Sequence, residues 1–183
     1  MLNRSIVVMD GAMGTMIQRF GFGEEDFRGR RFADHPVNLS GNNDLLSITQ
    51  PNAIRDIHRA YVDAGAQIIE TNTFSSTSIA QGDYATSHLS FEMNVASAHL
   101  ARLALRDAGA EGSCLVAGAI GPMNKTLSIS PDVTDPGFRD VEFDEVANSY
   151  HEQVLGLIEG KVDILLVETV FDTLNCKAAL YAI

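Results

Sequence analysis

The chain has 183 residues, 45% of them hydrophobic, enough for one domain with a sizeable core. A formal net charge of −11 argues against a nucleic-acid or anionic-membrane surface, which needs clustered Lys and Arg. No apolar run reaches the roughly 20 residues that span a bilayer, and Met1-Leu2-Asn3-Arg4 leaves no room for a signal peptide before the first strand. The expectation is a cytoplasmic protein with no membrane and no nucleic-acid partner.

Along the chain, apolar runs alternate with helical patterns. Ser5 to Met9 reads as a strand ending on Asp10-Gly11-Ala12, followed by a short helix from Met13 to Phe20 that Gly21 and Gly23 stop. Glu24 to Asn43 is polar and reads as a long loop, with Phe22, Phe27 and Phe32 to pack it on the domain. Pro51 opens a helix with Ile54, Ile57, Tyr61, Val62 and Ala64 in helical spacing, and Gly65 ends it. A second strand, Gln67 to Ile69, stops on Glu70-Thr71-Asn72-Thr73, and Ser75 to Gly82 suggests a small extra turn. Met93, Ala96, Leu100, Leu103 and Ala104 mark the next helix, stopped by Gly109.

The third run, Leu115 to Ile120, ends on Gly121-Pro122, and a second long loop covers Ser128 to Asp140. The helix from Phe143 to Ile158 is the clearest amphipathic pattern, closed by Gly160. Ile164 to Val167 ends on Glu168-Thr169, and Asp172 is placed to cap a last helix with Leu174, Ala178, Tyr181 and Ala182 on one face. Strands separated by helices are parallel, so the four polar endings share one rim, which in a (β/α)8 barrel carries the active site. A full barrel has eight units in about 250 residues. The expectation is therefore an α/β fold of the TIM-barrel family with about the first four β/α units: a half barrel over residues 1–183, no second domain, and one sheet face uncovered.

Asp10, Glu70 and Glu168 fall at strand ends, where carboxylates hold an ammonium group, ligate a metal or act as a general base. Each reads equally well as a structural cap, and strand alternation is expected to turn Glu70 away from the centre. The Asp10-Gly11-Ala12-Met13-Gly14 turn offers backbone N–H groups to a carboxylate or phosphate but lacks the G-x-G-x-x-G spacing of a dinucleotide site. Gly118 and Gly121 suit either close backbone approach or a tight turn. The five histidines show no metal-binding spacing, and there is no G-x-S-x-G elbow or P-loop. Cys114 and Cys176 fall near opposite ends of the sheet, too far apart for a disulfide, and read as buried thiols of a reducing compartment.

Several long strings together resemble the N-terminal homocysteine-binding module of cobalamin-dependent methionine synthases. They are Val8 to Gln18, Glu25 to Gly29, Gly41 to Leu46, Ile69 to Phe74, Gly121-Pro122, Ser128 to Val133 and Val167 to Asn175. The related betaine-homocysteine methyltransferases share the strand-end Asp-Gly but resemble the chain less in the Ser128–Val133 loop and after Glu168. The resemblance implies a barrel that binds homocysteine at its C-terminal rim, with Asp10 and Glu168 on the amino group and the Gly11-Ala12 backbone on the carboxylate. Asn72 and Thr73 would line the pocket. It further implies a parent enzyme in which zinc, held by three cysteines of the second half barrel, binds the substrate thiolate. The methyl group would come from methylcobalamin and ultimately methyltetrahydrofolate, on separate modules. Neither Cys114 nor Cys176 falls at a zinc-ligand position, so the chain by itself is expected to lack the zinc site and to be inactive alone. The alternatives are a cobalamin-independent homocysteine methyltransferase with a betaine or sulfonium donor, and a non-catalytic half barrel that dimerises and binds a small ligand.

Overall fold

The computed structural model describes residues 6–183, so the Met1–Arg4 segment and Ser5 of the expected first strand lie outside the described residues. The helices are Met13–Gln18 (α1), Glu24–Arg28 (α2), Leu46–Thr49 (α3), Pro51–Asp63 (α4), Ser78–Gln81 (α5), Ser90–Ala108 (α6), Phe143–Glu159 (α7) and Thr173–Ala182 (α8). Their ends follow local chemistry. Pro51 occupies the first turn of α4, where its missing N–H is not needed, Gly109 closes α6 in the left-handed conformation, and Asp172 caps α8 by accepting from Leu174 and Asn175 N–H.

Strands Ile68–Glu70 (β1), Leu115–Ile120 (β2) and Ile164–Val167 (β3) form a parallel sheet in that order. Ile69 stands opposite Val116, and Ala119 opposite Leu166. The expected opening strand survives as a fringe on β1. Met9 bridges Ile68 in parallel, and Asp10 N–H donates to the Ile68 carbonyl at 2.9 Å. All four apolar runs thus lie side by side in chain order, with their polar endings on one rim.

The long helices cover one face of the sheet. Ile69 and Val116 pack with Ala101 and Leu105 of α6, while Ile120, Leu165 and Val167 pack with α7 and α8. Two glycines let α6 and α7 touch: a Cβ on Gly156 would stand 2.8 Å from the Asn94 Cβ, and one on Gly160 would collide with the Ala98 Cβ. Gly118 faces the same side, where a Cβ would meet Leu157. By alternation, Ile68, Glu70, Ala117 and Ala119 point to the opposite face.

The stretch from Glu24 to Asn43, read from sequence as a loop, contains α2 and is held down throughout. The Arg28 guanidinium donates to the carbonyls of Phe32, Ala33, His35 and Val37, and the Glu24 carboxylate accepts from Leu39 and Ser40 N–H. Glu24 and Arg28 bond each other at 2.6 Å. Phe27, Phe32 and Leu39 are buried in the same cluster as Ile54 and Ile57.

Candidate active site

An open cavity of about 650 Å³ lies at the C-terminal rim of the sheet. Asp10 reaches it from the fringe strand, Glu70 from the last position of β1 and Glu168 from the residue after β3. Glu70 is the correction to the sequence reading. Ile69 is the residue that turns into the helix-side core, so the alternation phase sends Glu70 into the cavity rather than away from it.

The three carboxylates line one cavity. Asp10 Oδ2 accepts the Glu70 N–H at 3.0 Å, and Asp10 Oδ1 is buried with no partner among the described residues. The Glu70 carboxyl is within hydrogen-bonding reach of that of Glu168. Burial pushes Asp10 up to about 6, with the Glu168 charge adding to it and the Glu70 N–H opposing. Burial pushes Glu70 up to about 7, reinforced by the charges of Glu168 and Asp10. No Lys, Arg or His lines this cavity among the described residues.

Beside Asp10, the chain turns through Gly11 and Ala12, whose N–H groups bond no described residue. Gly11 allows this turn to lie against Tyr61: an added Cβ would stand 3.2 Å from the phenol oxygen, which itself donates to the Ala12 carbonyl. Asn72 and Thr73 line the cavity, but their polar groups hold its frame. The Asn72 amide donates to the Asn43 carbonyl at 2.7 Å and to Ser47 Oγ at 3.2 Å. The Thr73 hydroxyl donates to the Ala119 carbonyl at 2.7 Å, and the Ala119 N–H donates to Thr71 Oγ1. Two hydroxyls thus continue the β1–β2 ladder past the end of the strand. Gly121 is needed for close approach, since a Cβ there would collide with the Phe74 carbonyl oxygen.

No local chemical motif marks the opposite wall. Asp44 is buried and accepts from Ser75 N–H and Ser76 Oγ, both at 2.9 Å, with burial raising its pKa against those bonds. Asn42 and Gln81 exchange amide hydrogen bonds, and Thr86 donates to Gln81. The Gly41–Leu46 string carries a signal of resemblance but no spacing that assigns a role, because its partners lie 29 to 44 residues away.

Cys114 and Cys176 are free thiols and neither lines the cavity. His58 is fully buried on α4 with both ring nitrogens unpartnered among the described residues, and burial lowers it to about 4, so it is a neutral core residue. No group of three His, Cys, Asp or Glu is placed to hold a metal ion among the described residues.

A parallel α/β sheet with a carboxylate-lined pocket on its C-terminal rim defines a small-molecule site of the kind such sheets carry. The family model described as homocysteine S-methyltransferase matches residues 7–183, and the chain belongs to that family. Its fold is similar to that of the homocysteine methyltransferase MmuM from Escherichia coli. Against the oxidised form the identity is 22% and the TM-score 0.73, covering 100% of this chain and 60% of that one. Against the metallated form the identity is 23% and the TM-score 0.70, covering 99% and 61%. The chain therefore spans about 60% of the length of the structures it matches.

Proposed function

We propose that this chain forms the amino-acid-binding part of a homocysteine S-methyltransferase. One observation carries the reading: half-buried carboxylates, with no cationic side chain lining the cavity among the described residues, stand beside the Gly11 and Ala12 N–H groups, which bond no described residue. That pairing complements the ammonium and carboxylate of a zwitterionic α-amino acid. Asp10, through its unpartnered Oδ1, and Glu168 accept from the substrate ammonium, and the Gly11-Ala12 N–H groups donate to its carboxylate. Asn72 and Thr73 keep the wall rigid. The substrate sulfur, as a thiolate once its proton has left for solvent, then attacks the methyl carbon of a donor, forming the new C–S bond as the methyl–donor bond breaks, and homocysteine becomes methionine.

The described residues do not fit a metal. The zinc and cobalamin of the parent enzyme are assigned to parts outside this chain. The Ser128–Val133 and Val167–Asn175 strings favour the cobalamin-dependent methionine synthase branch, with methyltetrahydrofolate as ultimate donor. The sheet is read as the first half of a (β/α)8 barrel. The exposed Val170, Phe171, Leu180 and Tyr181 on the β3–α8 edge support this, since a following β/α unit would cover them. The two free thiols suit a reducing cytoplasm.

Calorimetric titration of the full-length protein with L-homocysteine tests the reading. Asp10→Asn and Glu168→Gln are each expected to weaken binding ~10- to 100-fold, the worth of a charged hydrogen bond, with zinc content unchanged. Unchanged affinity in both variants would overturn the assignment, and stoichiometric loss of zinc would reassign them as metal ligands. Turnover with methylcobalamin, against betaine or a methyl sulfonium as donor, separates the two branches.

A further inference from the structure

Glu70 lies outside the substrate grip just described, yet it shares a wall with both of its carboxylates. We infer that Glu70 is a third member of the grip, sharing with Glu168 a single proton that leaves for solvent when the substrate ammonium binds. The inference rests on the proposed amino-acid-binding function and specifies the protonation state of its site.

The argument begins from what a carboxylate can do. An ionised carboxylate only accepts hydrogen bonds, so two carboxyl groups within hydrogen-bonding reach require a proton on one of them. Glu70 and Glu168 are so placed. Nothing else at the site relieves the repulsion. The titratable groups that face Glu70 are Asp10 from the fringe strand and Glu168 from the end of β3, both acidic, and no cationic side chain lines the cavity among the described residues. Asp10 cannot turn away, because the Glu70 N–H holds its Oδ2. The group therefore carries a proton near neutrality, and burial together with both neighbouring charges agrees in raising Glu70.

An arriving ammonium supplies the missing positive charge. With a cation among the three groups the ionised form of Glu70 becomes favourable, and the O–H bond of the shared proton breaks to release H⁺ to buffer. The ammonium keeps its own three protons and donates them to the carboxylates. By linkage, release is largest where the free site is protonated and vanishes where it is already ionised. Near pH 6 Glu70 should give up most of one proton per ligand, on top of a smaller share from Asp10, and near pH 8.5 about none should leave. Affinity for the ammonium should rise correspondingly with pH through about 7.

The probe is L-methionine, which carries the same ammonium and carboxylate as homocysteine but no thiol proton. Titrating the full-length protein calorimetrically in buffers of different ionisation enthalpy counts the protons released. The wild type should show release that fades as pH rises. Glu70→Gln should bind with release cut to the share of Asp10 and the pH dependence moved down toward 6, because its amide donates to Glu168 without titrating. Wild-type binding without release at pH 6, or equal release by Glu70→Gln, would overturn the inference. A second measurement keeps it distinct from the function on which it rests. Carboxyl-carbon NMR of the ligand-free protein should show Glu70 titrating near neutrality and returning toward the ordinary glutamate range in Glu168→Gln. An ordinary Glu70 titration in the free wild type would overturn the proton sharing. Failure to bind either amino acid with that titration intact would instead overturn the proposed function.

Discussion

The two long rim loops, 29–42 and 128–140, have similar sequence character and opposite fates. Both are rich in polar residues, glycine or proline, and both carry scattered apolar side chains. In the first, Leu39 is 0% exposed, and the segment runs into the Asn42–Asp44 wall of the cavity. In the second, Val133 is 99% exposed, and Ile129 and Phe138 also face solvent. The difference lies in anchoring. The first loop is gripped along its length by Arg28 and Glu24 from the short helix before it. In the second, Asp172 accepts from Ser128, and Arg139 donates to the Leu127, Ser128, Pro136 and Phe138 carbonyls, but that arginine belongs to the loop it ties. Arginine-to-carbonyl bonds serve both loops, and the first becomes a wall of the site because its arginine sits on the helix before it and because Phe32 and Leu39 are buried beneath it.

Arg28→Ala should break this contrast most strongly. It removes donors to four carbonyls and leaves Glu24 without its cation, for a loss of about 3 kcal/mol of stability. Chemical denaturation measures it, and a loss comparable to that of a surface substitution would show that the loop packs without the clamp. Asp172→Ala acts on the end of the second loop and on the cap of α8 together, with an expected loss of about 2 kcal/mol. Proteolysis should then cut first near Ser128, whereas retained protease resistance there would mean that Arg139 alone suffices. Val133→Ser sharpens the contrast from the other side. An exposed side chain with nothing packed on it should change stability by less than about 0.5 kcal/mol, and a larger loss in the same denaturation experiment would reveal a packing partner for this loop.

Much of the fold was legible because its signals are local. The apolar runs at Ile68, Leu115 and Ile164 are strands, Pro51, Gly109 and Asp172 punctuate helices as their chemistry requires, and the Asp10 and Glu168 endings reach one cavity. The opening strand was only partly so. Its observed part is the Met9 bridge with its flanking hydrogen bonds, because an edge segment with one neighbour has a single ladder to join. Asn72 and Thr73 lie on the cavity wall, but their side chains answer to Asn43, Ser47 and Ala119, partners that no local spacing reveals.

By itself the sequence determined the α/β alternation, the parallel strands and the common rim, since hydrophobic periodicity and helix punctuation act over a few residues. Tertiary structure decided the phase of β1, and with it the direction of Glu70. Which of Ile69 and Glu70 faces the core depends on where α6 lies, not on the alternation alone. It also decided that Asp44, Asn42 and Gln81 build the opposite wall, and that three carboxyl groups from three separate strand ends meet. Hydrogen bonds and charge coupling depend on distance in space, and residues 10, 70 and 168 become neighbours only when the sheet forms.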